Sequence, residues 1–304
     1  MGTSLFNRLA FWQRSNSKIK LGVYVCPDKL VVYQAGDDNV TPQEPENSCE
    51  FAFDGVDWGR AFALIAKQFE PAQIQVTLSS SFYQLLLVDK PNVEAEEMMQ
   101  ALQWSIKDMV TQAVADIHFD YFEPPLSGSA KLNVVVVEKA GLAALVLAAK
   151  EHDMEVIGIN IEEMAVTNLF IDDPQARLVL SHLPGQELLL TVVRQGELYM
   201  QRRVRGFNQL DTVSAEELAF GLADNLSLEL QRSMDYFESQ LRQAPVASIE
   251  LLINGQLEKL AELVSANFNQ KVNTIETSSA EKKMAALALC ELNRDSSSQR
   301  GIDS

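Results

Sequence analysis

The side chains that most often act as bases, nucleophiles or metal ligands are few and scattered in this chain. It contains three histidines and three cysteines. No HExxH sequence joins two histidines, and no CxxC pair of the kind that binds zinc or forms a redox centre occurs. We therefore interpret the histidines as surface or core residues and the cysteines as reduced thiols of a cytosolic protein. These positions are His118, His152, His182, Cys26, Cys49 and Cys290.

Two pairs of adjacent carboxylates could bind a divalent cation. Glu162 and Glu163 begin a predicted helix, and Asp172 and Asp173 lie in a predicted linker after that helix. Carboxylates at helix ends are usually solvated, so we favour solvated side chains over a cation site at both pairs. Three serines at residues 79–81 lie outside any GxSxG sequence and predict a turn, not a hydrolase nucleophile.

The net charge of the chain narrows the classes of partner. It carries 42 acidic and 25 basic side chains, a formal net charge of −17 at pH 7. A field of this sign does not attract nucleic-acid phosphates but favours basic segments, so we expect no nucleic-acid partner. With 47% hydrophobic residues the composition is that of a globular protein with one large or two moderate cores.

The first 20 residues differ from the rest of the chain because they are basic. Apolar side chains share one helical face, and no acidic residue occurs before Asp28. Residues 1–20 predict either an amphipathic tail that contacts an anionic membrane surface or a frayed basic tail. The apolar residues are Leu5, Phe6, Leu9 and Trp12, and the basic residues are Arg8, Arg14, Lys18 and Lys20.

The chain shows neither a membrane span nor an export signal. No apolar run reaches the roughly 18 residues that cross a bilayer. The N-terminus has no long apolar core followed by a small-residue cleavage site. We therefore expect a cytoplasmic protein.

The two halves of the chain repeat the same order of predicted elements. Each half begins with antiparallel strands and continues with alternating helices and strands, and residues 172–174 are the best candidate linker between them. This repetition predicts two similar lobes with mixed α/β sheets, residues 21–175 and residues 176–294. The polar end at residues 295–304 is predicted to be disordered.

The clearest single pattern lies at residues 225–255. Apolar residues at three- and four-residue steps predict an amphipathic helix, which cannot continue through Pro245. The apolar run at residues 249–253 then predicts a buried strand that stops at the turn of Asn254 and Gly255. This arrangement often leads to a ligand site in α/β proteins. The helical stripe consists of Leu226, Leu230, Met234, Phe237 and Leu241.

Several stretches resemble the PilM family of actin-like proteins, the cytoplasmic members of type IV pilus inner-membrane assemblies. The second-lobe signature of that family is similar to ELQRSMDYFESQL followed by VASIELLING. Its small inserted subdomain is similar to AEEMMQALQWSIKDMV followed by DIHFDYF, and its last helix to MAALALCEL. The stretches follow the order of the family over roughly residues 21–292. Within the family, the resemblance is greatest to members that serve mannose-sensitive haemagglutinin (MSHA) pili, and the cytoplasmic domain of GspL is a more distant relative.

The resemblance implies an α/β, actin-like (ribonuclease H-like) fold of two lobes. It also implies a small α+β subdomain inserted in the first lobe at about residues 82–130. In actin-like ATPases the nucleotide lies between the lobes, held by two glycine-bearing hairpins and a glycine-rich turn. Such turns let backbone N–H groups approach the phosphates, and an Asp on each hairpin organises the metal ion and its water.

The first hairpin departs from the ATPase pattern. Gly22 matches the family, but Tyr24 stands where the Asp is expected. Cys26 takes a small-residue position, and Pro27 removes an N–H group from the turn.

The second hairpin and the adenosine-side turn are also altered. His182 stands where the second Asp is expected, and Pro184 precedes Gly185 in the turn. Of the glycines in the adenosine-side turn one remains, Gly255, which follows Asn254. We therefore expect a vestigial cleft with no catalytic residue and no cofactor. The alternatives that stay open are weak ATP binding and an ATPase whose nucleotide state regulates pilus assembly.

The resemblance also implies the partner. In the family, the inserted subdomain and the adjoining first lobe receive the cytoplasmic tail of a bitopic PilN-like inner-membrane protein, which docks in extended form. We predict the contact region at residues 84–122, with Met98, Trp104 and Tyr121 foremost, although for each of them singly a place in the subdomain core is the favoured interpretation. A cytoplasmic pilus assembly ATPase is a second expected partner. These partners place the protein at the cytoplasmic face of the bacterial inner membrane.

Overall fold

The computed structural model describes residues 19–35, 47–126 and 128–300. Residues 1–18 of the basic tail predicted at residues 1–20, and the last residues, 301–304, lie outside this range. In chain order the elements are β1 (Ile19–Val25), β2 (Lys29–Gln34), β3 (Ser48–Ala52), α1 (Trp58–Ala66), β4 (Ala72–Leu78), β5 (Tyr83–Asp89), α2 (Met98–Ile106), β6 (Ile117–Phe122), β7 (Lys131–Glu138), α3 (Lys139–Glu151), β8 (Glu155–Ile161), α4 (Glu162–Ala165), β9 (Arg177–Ser181), β10 (Leu188–Arg194), β11 (Glu197–Val204), α5 (Ala215–Glu217), α6 (Ala223–Asp235), β12 (Ser248–Leu252), α7 (Leu257–Ser265), β13 (Lys271–Thr274) and α8 (Ala280–Arg300).

Ten of the described strands form two five-stranded sheets of the same topology. The first has the order β3-β2-β1-β4-β8 and the second β11-β10-β9-β12-β13. In each sheet the first three strands in the chain pair antiparallel and the next two add in parallel. The repeat predicted from the sequence is therefore a structural duplication, and each lobe contains one sheet.

Strand β1 has both of its faces buried, one in the core of the first lobe and the other in a core shared with the second lobe. Leu21, Val23 and Val25 point to one face, where α1 and α3 cover the first sheet. Tyr24, on the other face, points to a second core that also contains Val179 of the second sheet. Two apolar faces make β1 a central strand of the molecule.

The inserted subdomain is a three-stranded antiparallel sheet with the order β5-β7-β6, covered on one face by α2. Met98, Leu102 and Ile106 of α2 are buried against this sheet, as the helical spacing predicts. Because β7 is the middle strand, the subdomain extends to Glu138. The sequence-based boundary at about residue 130 is therefore too early, since it assigned β7 to the first lobe.

The helix predicted at residues 225–241 is confirmed as α6 with one further turn of π-helix at Tyr236–Gln240. Leu226, Leu230, Met234 and Phe237 are buried in the core of the second lobe. The strand that follows is β12, the fourth strand in the order of the second sheet.

Helix α8 lies between the lobes. It packs on β1, β2 and β4 of the first sheet, although the sequence-based division placed it in the second lobe. Gly22 of β1 permits this contact, because a Cβ atom there would lie 2.0 Å from the carbonyl oxygen of Ala285. The helix continues to Arg300, past the point where the sequence predicts disorder to begin at residue 295. Among the described residues, no helix combines the length and the apolar character needed to cross a membrane.

Candidate functional site

The turn between β1 and β2 carries the residues predicted to border the cleft. The N–H group of Cys26 donates to the carbonyl of Lys29 at 2.9 Å and closes the hairpin. Tyr24 is fully buried, and its hydroxyl donates to Oε1 of Glu162 at 2.5 Å. Tyr24, which replaces the expected Asp, therefore donates its hydrogen bond to a carboxylate of its own lobe.

The turn between β9 and β10 forms hydrogen bonds to the first lobe through Gln186. Gln186 donates through Nε2 to the Tyr24 hydroxyl at 3.1 Å and accepts through Oε1 from the hydroxyl of Ser80 at 2.5 Å. Its own N–H group donates to the carbonyl of Leu183 at 3.1 Å, and Gly185 has a φ of +71° in this tight turn. The two hairpins thus touch across the cleft through protein side chains.

A buried ion cluster joins the lobes next to this contact. Glu162 and Glu163 begin α4 and are fully buried, so our interpretation of them as solvated carboxylates is wrong. Arg203, at the end of β11, donates to Glu162 at 2.6 Å and to Glu163 at 2.8 and 3.0 Å. Tyr83, at the start of β5, donates to Glu163 at 2.5 Å and accepts from Arg203 at 2.8 Å. We call these four residues the interlobe cluster.

Burial and mutual charge set the ionisation of the cluster. Burial and the neighbouring carboxylate of Glu162 raise the pKa of Tyr24 well above its ordinary value, and burial and Glu163 do the same for Tyr83. Burial raises the pKa of Glu162, although Arg203 opposes this effect. Burial alone would lower the pKa of Arg203, but Glu163 and the other acidic groups raise it overall. Both tyrosines therefore stay protonated donors, and the guanidinium stays charged.

The adenosine-side turn is bound to the start of α8. Asn254 donates to Oε2 of Glu281 at 2.8 Å and accepts from the N–H group of Ala280 at 2.7 Å. Lys29, from the first hairpin, forms an ion pair with Glu281 at 3.1 Å. Burial opposes ionisation of Glu281, but the hydrogen bond from Asn254 and the charge of Lys29 lower its pKa overall. This contact is a second polar bridge between the lobes.

The glycine that remains in this turn has a packing role. Gly255 has a φ of +87°, and a Cβ atom there would lie 2.5 Å from the carbonyl oxygen of Asp211. Both the backbone conformation and the close approach require glycine. Local packing and backbone conformation therefore account for the glycine at position 255, without a bound nucleotide.

His182, which replaces the second expected Asp, is a core residue. Its side chain is fully buried, and neither ring nitrogen forms a hydrogen bond with a described residue. Its backbone N–H group donates to the carbonyl of Leu252 at 2.9 Å. Burial lowers the pKa of His182 despite the carboxylate of Asp211 nearby, so the ring is neutral at pH 7. The sequence allowed a surface or a core position, and the structure decides for the core.

Each of the two hairpin turns carries a proline where a backbone N–H group could otherwise bind phosphate. Pro27 and Pro184 are exposed at the two hairpin turns and supply no N–H groups. Within residues 19–35, 47–126 and 128–300, no three His, Cys, Asp or Glu side chains are grouped to hold a metal ion. Sequence reasoning missed Gln186 and Arg203, which carry no motif. The signal that could have pointed to the cluster was the adjacent acid pair directly after a strand end.

The three predicted partner-binding residues are not brought together. Met98 is buried in the subdomain core. Trp104 lies on the outer face of α2, 70% exposed, with the ammonium of Lys107 at 5.7 Å from its ring centre. Tyr121 is half-buried on β6 and lines a groove. The contact predictions for Trp104 and Tyr121 stay predictions.

This groove lies where the inserted subdomain meets the first lobe. It encloses about 360 Å³ between β6 and β8, each an edge strand of its sheet. Asn160 lines it, and its buried Nδ2 atom has no hydrogen-bond partner among the described residues. We call it the junction groove. Its other lining residues are Leu78, His118, Asp120, Tyr121, Phe122, Val135, Val137, Leu142, Ile159, Ile161 and Met164.

Comparisons with known proteins agree with this architecture. No protein-family model and no curated protein matches the chain. The structure of a PilM-PilN type IV pilus biogenesis complex is similar over 91% of this chain and 98% of that chain, with 14% identity and a TM-score of 0.61. The cytoplasmic domain of EpsL, an inner-membrane component of the type II secretion system of Vibrio cholerae, is similar over 89% and 94%, with 18% identity and a TM-score of 0.52.

A third similar structure names the fold. It is a protein of Bacteroides thetaiotaomicron with an actin-like ATPase fold, similar over 95% of this chain and 100% of that chain, with 11% identity and a TM-score of 0.50. The duplicated sheets, the subdomain after β4 and these similarities lead to one conclusion about architecture. The chain has the actin-like fold predicted from its sequence.

Proposed function

We propose that this chain is a non-catalytic scaffold of a type IV pilus inner-membrane assembly complex, at the cytoplasmic face of the membrane. The observation that carries the proposal is the direct contact between the lobes, in which Gln186 bonds Tyr24, and Arg203 bonds the acid pair Glu162 and Glu163. When the lobes of an actin-like protein are joined by its own side chains, its rigid surfaces remain available to bind partner proteins. The similarity to the PilM-PilN and EpsL structures supports this class of assembly.

The partner that fits the junction groove best is the cytoplasmic tail of a PilN-like protein. An extended segment can pair with the edge of β6 or β8, while its side chains enter the apolar lining. Asp120 is exposed at the groove and suits the basic residues that flank cytoplasmic membrane-spanning ends.

Finer assignments belong to the same proposal. The order of the sequence stretches supports an MSHA-type pilus and an MshI-like role. A pilus assembly ATPase as second partner, and membrane contact through residues 1–20, also rest on the sequence. They are tested by deleting residues 1–20 and by capturing the ATPase on the immobilised chain. Unchanged membrane recovery after the deletion would remove the membrane contact.

Binding of a synthetic peptide that carries the cytoplasmic tail of the PilN-like protein of the same organism tests the proposal. We expect saturable binding, weakened at least about tenfold by Asp120→Lys, because the substitution reverses a charge in the groove. Asp108→Lys is the matched control, since Asp108 is exposed in the turn after α2 of the same subdomain but does not line the groove. Absence of binding, or equal weakening by both variants, would contradict the proposed site.

The second candidate is an actin-like ATP-binding protein whose nucleotide state regulates pilus assembly. The actin-like fold favours it. It requires Gln186 and Arg203 to leave the positions that join the lobes. The melting temperature measured with and without Mg-ATP distinguishes the two candidates, because only an ATP-binding protein is stabilised by the nucleotide.

A further inference from the structure

The junction groove and the interlobe cluster share one short piece of chain. Ile161, the last residue of β8, and Met164 of α4 both line the groove. Glu162 and Glu163 lie directly between them and point to Arg203 of the second lobe. One wall of the groove is therefore held in place by a guanidinium from the opposite lobe.

A second connection runs through the inserted subdomain. Tyr83 begins β5, and its hydroxyl bonds both Glu163 and Arg203. β5 pairs along its whole length with β7, which supplies Val135 and Val137 to the groove. Arg203 thus contacts the start of α4 on one side of the junction and the first strand of the subdomain on the other.

We propose that Arg203 is a positioning residue for the junction groove, which couples the arrangement of the two lobes to binding of an extended partner tail. The inference rests on the proposed function, since it concerns the same groove. Arg203 itself does not line the groove. It acts through Glu162, Glu163 and Tyr83, whose positions set the spacing of the two walls.

The chemistry of the cluster makes this coupling stiff. Without the guanidinium, two fully buried carboxylates would face each other with no cation, and α4 would have to shift to let water or a proton reach them. A shift of α4 displaces Ile161 and Met164 with it. Binding linkage is reciprocal, so a tail that favours the formed groove must also stabilise the contact of Arg203 with the acid pair.

The chain offers a matched pair of variants for the test. Arg203→Met removes the positioning contact. Arg202→Met removes the neighbouring arginine of the same strand, whose side chain pairs with Glu229 of α6 inside the second lobe. Both variants delete one arginine from β11, but only the first touches the interlobe cluster.

Amide hydrogen exchange of the full chain is the first measurement, because it needs no partner. We expect Arg203→Met to raise the exchange rates at residues 159–164 about tenfold or more, and Arg202→Met to leave them as in the wild type. The second measurement is the affinity for the synthetic tail peptide. We expect Arg203→Met to weaken it about tenfold, within the range of typical coupling between sites, and the peptide to slow exchange at residues 201–204 of the wild type.

Each outcome separates the inference from the proposed function. A wild type that binds the peptide, together with an Arg203→Met variant that binds equally well, overturns the inference and leaves the proposed function standing. A wild type that binds no peptide contradicts the proposed function, while unchanged exchange at residues 159–164 in Arg203→Met overturns the positioning role by itself. If Arg203→Met does not fold, Arg203→Lys takes its place. It keeps the charge but loses the two-pronged contact, so a smaller change in the same direction is expected.

Discussion

Arg203, on the second lobe, donates to the carboxylate of Glu163, on the first lobe, at 2.8 and 3.0 Å. In an actin-like ATPase the lobes meet around a bound nucleotide, whereas here they meet around a protein ion pair. The pair lies beside the contact of Tyr24 with Gln186, so the two hairpins and the acid pair form one continuous polar bridge. Tyr24, at the first position where an Asp is expected, belongs to this bridge, whereas His182 at the second position is buried in the core.

The direct side-chain contact between the lobes predicts that nucleotide does not change the thermal stability of the protein. We expect the melting temperature of the wild type to be the same with and without Mg-ATP, because Tyr24, Gln186 and Arg203 occupy the contact between the lobes. A ligand at 100 times its Kd would stabilise the folded state by about 2.7 kcal/mol, which melting detects readily. Differential scanning calorimetry over a range of Mg-ATP concentrations makes the measurement. A saturable upward shift would contradict the non-catalytic scaffold and favour the ATP-binding alternative.

The interlobe cluster also predicts an asymmetric effect of two neighbouring arginines on stability. Arg203→Met should lower the free energy of unfolding by about 3–5 kcal/mol, because it leaves buried carboxylates without their cation. Arg202→Met should cost less than about 1 kcal/mol, because Arg202 is partly exposed and Glu229 keeps its ion pair with Arg232. Urea unfolding of both variants measures the difference. Equal losses would mean that the cluster does not stabilise the fold as its burial implies.

Two glycines at positive φ should respond differently to alanine. Gly255→Ala should destabilise the protein more than Gly185→Ala, since only the first places a Cβ atom 2.5 Å from a backbone oxygen. For Gly185→Ala the cost is that of the left-handed conformation alone, about 1–2 kcal/mol, because no atom lies within 4 Å of the added Cβ. Thermal or urea unfolding gives the comparison. A Gly255→Ala variant as stable as Gly185→Ala would show that the turn can move away from Asp211.

His182 predicts a pH dependence of stability with a defined sign. Burial lowers its pKa below the ordinary 6.5, so the unfolded chain binds the proton more readily than the folded one. The contribution of the neutral ring is complete above pH 6.5 and is lost as the pH falls toward the folded pKa, by at most about 1.4 kcal/mol per pH unit. We expect the stability advantage of the wild type over His182→Gln to be smaller at pH 5.5 than at pH 7.5. An advantage independent of pH would contradict a buried neutral imidazole.

Glu162 changes stability in the opposite direction. Burial raises its folded pKa, so the folded state takes up a proton before the unfolded state and gains stability as the pH falls through that window. This effect is common to the wild type and to His182→Gln. It therefore cancels in the difference between their free energies of unfolding.

Trp104 is the contact prediction that the groove does not include. We expect Trp104→Ala to leave the melting temperature unchanged, because the ring is 70% exposed, and to reduce capture of pilus inner-membrane components at least about threefold. Phe220→Ala is the control, since that ring is 95% exposed on the second lobe. Pull-down with each immobilised variant makes the measurement. Equal capture by both variants and the wild type would confine the partner contact to the junction groove.

The predicted elements that depend on short-range pattern are confirmed. The stripe of Leu226, Leu230, Met234 and Phe237 is buried as its spacing requires, and the strand at β12 follows it. The hairpin of β1 and β2 is found at its predicted turn. Local periodicity suffices here, because an apolar face at the period of a helix or strand has few other ways to become buried.

Boundaries between units were less predictable. β7 was assigned to the first lobe, although it pairs with β5 and β6 of the subdomain. Helix α8 was assigned to the second lobe, although it packs on β1 and β2. Pairing and docking partners are chosen across long stretches of chain, and the pattern within one element does not name them.

The sequence by itself determined the repeated order of elements, the actin-like fold and the replacement of the expected Asp by Tyr24 and His182 at the two hairpins. Tertiary structure alone decided what those two side chains contact. Glu162 and Glu163 look solvated at a helix start, yet they are buried because Arg203, about 40 positions later, reaches them from the other lobe. Burial of a charge depends on a partner whose position no local pattern encodes, and only the folded chain brings that partner to it.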